Sequence, residues 1–160
     1  MKIGICAVGR MKAGPEKELA ERYFDRFAKA GPSLGLEYSG IVEIAESRAA
    51  GVDERRRDEA LRLGAGFPAG SILVVLDERG KSISSESFAK RLADWRDSGH
   101  KHCALLIGGP DGHDESLRND GSLLLSFGAM TWPHQLARIM LAEQLYRAAT
   151  ILSGHPYHRA

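Results

Sequence analysis

The chain has 160 residues, 43% hydrophobic and 27% charged, with a formal net charge of +1. A chain of roughly 150 residues buries about 70% of its unfolded surface, so one core suffices, and the composition excludes a disordered or low-complexity protein. No apolar run approaches the roughly 20 residues that span a bilayer, and a charge near zero gives no overall footprint for nucleic acid, so any RNA contact must come from a local cluster.

In chain order, residues 2–8 (Lys2-Ile3-Gly4-Ile5-Cys6-Ala7-Val8) read as a strand. The run is too short for a signal peptide and no small-residue cleavage site follows it. Residues 16–30 place Leu19, Tyr23, Phe24 and Phe27 on one helical face, and Gly31-Pro32 stops that helix. A second extended segment covers residues 36–44, a polar and variable stretch covers 45–52, and a charged helix runs over 53–63 and stops at Gly64. Its Arg55-Arg56-Arg57 run reads as a solvated helix face, with phosphate contact as the alternative.

Residues 71–76 are β-branched and apolar enough for a strand buried on both faces. Ser84 or Ser85 caps the next helix, which ends near Ser98-Gly99. Then come a strand at 103–107, the turn Gly108-Gly109-Pro110-Asp111-Gly112, a helical patch near 114–118 and a last strand at 123–126. The final helix spans 133–152, with Pro133 at its first position and Thr131 as its cap.

Alternating strands and helices predict an α/β fold with a mainly parallel sheet and helices on both faces, in one domain over residues 1–160. A ligand site belongs beyond the carboxyl ends of such strands, here at Leu76-Asp77, Gly108-Gly109 and Phe127-Gly128. Cys6 and Cys103 lie inside apolar runs, which predicts buried free thiols and a cytoplasmic protein. In the last helix Leu136, Ile139, Met140, Leu141, Leu145, Tyr146, Ala149 and Leu152 surround the axis. One small domain can hardly cover such a helix on all sides, so a homodimer is expected.

Few motifs carry chemistry. The glycine turn lets a backbone approach a ligand closely, but no G-x-G-x-x-G follows the first strand and no phosphate-binding G-x-x-x-x-G-K-[ST] occurs. The pairs His100/His102 and His155/His158 lack a set of partners for a metal, and H-E-x-x-H, C-x-x-C and G-x-S-x-G are all missing, so neither a metal nor a serine triad is expected. The tail Ser153-Gly154-His155-Pro156-Tyr157-His158-Arg159 is different, with two histidines, a tyrosine and an arginine in five residues. From Thr131 onward, Arg138, Arg147 and Arg159 face one acid, Glu143, which makes a local basic patch. The plainer reading is a Tyr and Pro that pack the chain end onto the domain.

Taken together, Val75-Leu76-Asp77, Leu105-Leu106-Ile107-Gly108-Gly109-Pro110-Asp111-Gly112, Met130-Thr131-Trp132-Pro133-His134-Gln135, Glu143-Gln144-Leu145-Tyr146-Arg147-Ala148 and His155-Pro156-Tyr157-His158-Arg159 closely resemble the RlmH (YbeA) family of SPOUT-class methyltransferases. With Met1-Lys2-Ile3 and Ala7-Val8-Gly9 the resemblance covers essentially the whole chain. It implies a C-terminal trefoil knot, which periodicity cannot reveal, and a homodimer. It also implies N3-methylation of a pseudouridine in a 23S rRNA stem-loop of the assembled ribosome, with S-adenosyl-L-methionine as donor and no metal.

Carried onto this sequence, the resemblance places the cofactor against Leu76, Gly108 and the loop Phe127, Gly128, Ala129, Met130, Thr131 and Trp132. Family members often carry polar or larger residues around positions 127–130, and a more apolar segment in place of His113-Asp114-Glu115. His158 is expected to serve as general base or proton relay, since imidazole titrates near neutrality, with His155 able to exchange roles with it. Tyr157 would stack on or hydrogen-bond the nucleobase, and Arg159, with Arg138 and Arg147, would neutralise phosphate or charge developing on the base. A non-catalytic ribosome-binding module is the alternative. A nicotinamide-dependent oxidoreductase is disfavoured by the missing fingerprint.

Overall fold

A computed structural model describes residues 1–158. The elements run β1 (Lys2–Val8), α1 (Pro15–Ala30), a short 3₁₀ turn (Pro32–Leu34), β2 (Glu37–Ile44), α2 (Val52–Gly64), β3 (Ile72–Lys81), α3 (Ser85–Asp97), β4 (His102–Ile107), α4 (Glu115–Asp120), β5 (Leu123–Leu125) and α5 (His134–Ser153). The strands form one sheet in the order β2-β1-β4-β3-β5, and every pairing is parallel. All five carboxyl ends therefore open on the same edge.

The period-2 alternation of side chains divides the core between the two faces of the sheet. Ile3, Ile5 and Ala7 of β1, with Val74, Cys103 and Leu105, join Phe24 and Phe27 of α1, Leu92 of α3 and Leu141 and Leu145 of α5. Cys6, Val8, Val75, Ala104 and Leu106 point the other way, toward Leu63 of α2 and Leu117 of α4. Both cysteines are free and buried. Burying a Leu, Ile or Phe side chain is worth about 1.5–3 kcal/mol, so α1, α3 and α5 hold the richer side. α2 buries only Leu63 and Glu59 and depends on polar contacts.

Two expectations change and a third is sharpened. β3 continues through Asp77-Glu78-Arg79-Gly80-Lys81, past the expected end at residue 76. A register irregularity lets both Leu76 and Lys81 partner Leu125, so this polar extension wraps the end of β5. Second, Ser84 does cap α3 by accepting from the N–H of Ser87, but Thr131 does not cap α5. Pro133, in extended conformation, takes the cap position with no side-chain cap, and Thr131 sits two residues upstream of it. Third, its own chain covers α5 on one side only, and Ile139, Met140, Tyr146 and Leu152 stay half-buried. The helix packs against α1 and α3 and buries Arg138, Leu141, Ala142, Leu145, Ala148, Ala149 and Thr150, leaving Leu136 exposed.

Segment 45–51 is irregular in conformation but fastened by α2. The Glu59 carboxylate accepts from the N–H of Ser47 at 2.8 Å, Arg62 donates to the carbonyl of Ala45 at 2.8 Å, and Arg55 donates to those of Ala49 and Ala50 at 3.1 Å. No helix among the described residues is long and apolar enough to cross a membrane.

Candidate cofactor cavity and C-terminal tail

The carboxyl ends of β3, β4 and β5 enclose a cavity of about 430 Å³, lined among others by Leu76, Asp77, Gly108, Gly112, Phe127 and Trp132. This volume falls in the range of roughly 300–1,000 Å³ usual for small-molecule sites. The three points read from the sequence as strand ends thus converge on one place, although β3 runs on past Leu76. Of the expected cofactor residues, Leu76, Gly108, Phe127, Gly128, Met130, Thr131 and Trp132 line it. Ala129 is exposed on the same loop and is not among the lining residues.

Each wall has a local cause. The glycine turn closes through a hydrogen bond from the N–H of Gly112 to the carbonyl of Gly109 at 3.0 Å, and Gly112 sits at φ 79°, a left-handed conformation that favours glycine. A Cβ at Gly108 would lie 3.1 Å from Nε2 of His113 and 3.3 Å from the backbone carbon of Gly112. Only glycine leaves that cradle clear. On the opposite wall, Ser126 ties the loop to the β3 extension: its N–H donates to the carbonyl of Lys81 at 3.0 Å, and its hydroxyl accepts from the N–H of Gly128 at 3.1 Å. Met130 and Trp132 keep 72% and 41% of their surface exposed, which leaves apolar area on the cavity rim for a ligand to cover.

The floor holds groups that the sequence reading did not single out. Asp77, nearly buried, accepts from Arg118 Nε at 2.6 Å and from the N–H of Arg79 at 2.9 Å. Burial alone would raise its carboxyl, but these two donors hold it below the usual carboxylate range. His113 is buried beside this pair, and its Nε2 makes no hydrogen bond with any described residue. Burial pushes its imidazole down to about 4, so it is neutral at neutral pH. An acid at a strand end was the available signal for Asp77. Nothing local announced His113 or Arg118.

The tail is ordered against α5 and α3 of its own chain. His158 places Nε2 2.6 Å from Oε1 of Glu86 and Nδ1 3.3 Å from Nη1 of Arg147. Glu143 accepts from Arg147 Nε at 2.9 Å and from the Tyr157 hydroxyl at 3.1 Å, while the Arg147 guanidinium stacks 5.1 Å over the Tyr157 ring. Burial, with the Tyr23 hydroxyl and the Glu143 charge, pushes the Tyr157 phenol up, so it remains a protonated donor at neutral pH. His155 is exposed, and its Nδ1 accepts from the N–H of Tyr157. Arg159 lies outside the described residues.

One expectation needs correction here. Arg138 is not free to meet phosphate: it is fully buried, with Nη1 2.5 Å from Glu43 and Nη2 bonded to the carbonyls of Val8 and Gly9. A guanidinium whose donors close the ends of β1 and β2 is a structural anchor. Among the described residues, the tail does not reach the cavity of its own chain: none of Arg147, His155, Tyr157 or His158 lines it.

A parallel α/β sheet whose glycine-rich cavity lies beyond its strand ends is the build of an enzyme that binds a nucleoside-type cofactor. Residues 1–158 match the family described as "Predicted SPOUT methyltransferase", and the chain belongs to that family. Proteins called ribosomal RNA large subunit methyltransferase H are 64% identical in Mesorhizobium japonicum, 60% in Rhizobium meliloti and 58% in Brucella anthropi, each over 160 residues and 100% of both chains. Among solved structures, the SpoU methyltransferase AviRb of Streptomyces viridochromogenes, crystallised with AdoMet, is a distant likeness at 16% identity and TM-score 0.39, covering 90% of this chain and 56% of that one.

Proposed function

We propose that this chain is a cytoplasmic, S-adenosyl-L-methionine-dependent methyltransferase acting on N3 of a pseudouridine in a 23S rRNA stem-loop of the assembled ribosome. The full-length relatives named for large-subunit rRNA methylation support the substrate class. The cavity at the three strand ends carries the reading, because its residues fit the donor. The Gly108 cradle admits a flat group against backbone, and Leu76, Phe127, Met130 and Trp132 offer apolar surface to the adenine and methionine portions.

When bound, the donor supplies an activated methyl group on a sulfonium centre. The chain's own residues then have two tasks, positioning and proton removal. His158 takes the N3 proton on Nδ1, where the substrate displaces the long 3.3 Å contact from Arg147, while Glu86 holds the ring through Nε2–H. Tyr157 presents its ring and phenol to the nucleobase, and Arg147, His155 and Arg159 meet phosphate or the charge developing on the base.

Because no described residue of the tail lines the cavity of its own chain, the working site is read as composite, with the tail of one subunit of a homodimer facing the cofactor of the other. The same reading takes residues 1–160 as one SPOUT domain with a knotted C-terminal part. It is tested with His158→Ala. Donor affinity by calorimetry should be retained while methyl transfer to ribosomes lacking the modification falls by at least about a hundredfold. Unchanged transfer removes His158 from the chemistry. Mass mapping of rRNA from cells lacking the gene should show one lost methyl group, and an unaltered map overturns the substrate.

A further inference from the structure

α2 looks like a bystander, a charged helix that buries only Glu59 and Leu63. Arg57 faces solvent, but Arg55 and Arg56 do not. Arg55 Nε lies 2.7 Å from Oδ2 of Asp111, and Arg56 Nε donates to the carbonyl of the same Asp111 at 2.7 Å. One residue of the glycine turn is thus gripped at side chain and backbone by successive residues of one helix. The Arg55 guanidinium spreads further, through Nη1, to the carbonyls of Ala49 and Ala50. On the next turn of α2, buried Glu59 stands where a Cβ at Gly109 would be 3.1 Å from Oε2, with Val8 2.9 Å away on the other side.

The grip matters because of what the turn is made of. Gly108, Gly109 and Gly112 surround Pro110 and Asp111, and three glycines leave a backbone many conformations to lose on binding a ligand. All five residues line the cavity, as does Arg56. A turn already held in one shape by an external clamp does not spend binding energy on ordering itself. Asp111 is the only acid in the turn, and the Arg55 guanidinium beside it holds its carboxyl below the usual carboxylate range, so the clamp is ionic throughout the neutral pH range.

We propose that Arg55 and Asp111 form a positioning pair for the cofactor: α2, through Arg55 and Arg56, clamps the Gly108–Gly112 turn in its cofactor-receiving shape. The pair touches no reacting atom and acts through the backbone of Gly108. This inference rests on the cavity being the donor site. It assigns to α2 a role in donor affinity, separate from the proton chemistry of the tail.

Asp111→Asn keeps the size of the side chain and removes the charge. Calorimetry of the full-length protein with S-adenosyl-L-methionine should then show binding about tenfold weaker. With ribosomes as acceptor, KM for the donor should rise by a similar factor while kcat at saturating donor stays within about twofold. Asp111→Glu, which keeps the charge, should recover most of the affinity. In the absence of donor, amide hydrogen exchange at residues 109, 111 and 112 should be faster in Asp111→Asn than in the parent, while the core strands exchange alike. Equal affinity and equal exchange in parent and Asp111→Asn overturn the positioning role, as does a fall in kcat with KM unchanged. A parent protein that does not bind the donor overturns the proposed function itself, so the two failures are distinguishable.

Discussion

His113 shows how one side chain ties the cavity to stability. It is 3% exposed and sits under Gly108, where burial disfavours its charged form by more than the nearby Asp77 carboxylate favours it. Its folded value of about 4 lies below the roughly 6.5 expected of an unfolded chain. Between those values the unfolded chain binds more protons, so stability is complete above about pH 6.5 and declines as pH falls toward 4. At about 1.4 kcal/mol per unit, the total loss is roughly 3 kcal/mol. Urea unfolding at pH 7 and pH 4.5 should show a larger acid-induced loss in the parent than in His113→Gln. Equal losses would assign the acid sensitivity to other groups. In the sequence His113 was visible only as a polar residue after a glycine turn. Its burial depends on β3 and β4 lying side by side, and no local pattern encodes that.

Among the elements, the β3 extension and α2 depart most from what periodicity suggests. Asp77-Glu78-Arg79-Gly80-Lys81 has the composition of a turn, yet it continues the strand around β5. Gly80 permits this, because a Cβ there would stand 2.7 Å from the backbone of Leu124 and Leu125. Gly80→Ala should therefore push the two strands apart, costing about 1–3 kcal/mol and weakening donor binding through the loop that Ser126 anchors. Chemical denaturation and calorimetry check both, and a fully stable, fully binding variant would show that β5 yields without consequence. The other strands and the helices α1 and α3 were legible within a residue or two, because their apolar positions recur at period 2 or 3.6 and glycine, proline or serine marks their ends. α2 was legible as a helix but not as a clamp, since arginines facing water and arginines facing Asp111 are the same letters.

At the level of the whole molecule, the question is what completes the site. α1 and α3 bury one side of α5 and leave Ile139, Met140, Tyr146 and Leu152 half-buried and Leu136 exposed, which keeps the helix as one argument for a second subunit. The separation of tail and cavity supplies a better one. If the site is composite, sedimentation at micromolar concentration should show a dimer. Mixing a tail variant such as His158→Ala with a donor-binding variant such as Gly108→Val should also restore methyl transfer in the mixed dimer, to about a quarter to a half of the parent's. A monomer with full activity, or no recovery on mixing after subunit exchange, excludes the composite site.

The amino-acid sequence by itself determined the alternation of strands and helices, the three strand ends where the cavity lies, and the methyltransferase family, because these depend on local periodicity, turn residues and ordered motifs. Only the tertiary structure decided that Arg138 is an anchor, that Arg55 and Arg56 bond to Asp111 of the glycine turn, and that the described residues of the tail stand apart from the cavity of their own chain. A charged side chain has the same composition whether it meets solvent, a carbonyl or a carboxylate, and which of these it meets is set by segments distant in sequence, as Arg138 and Glu43 are.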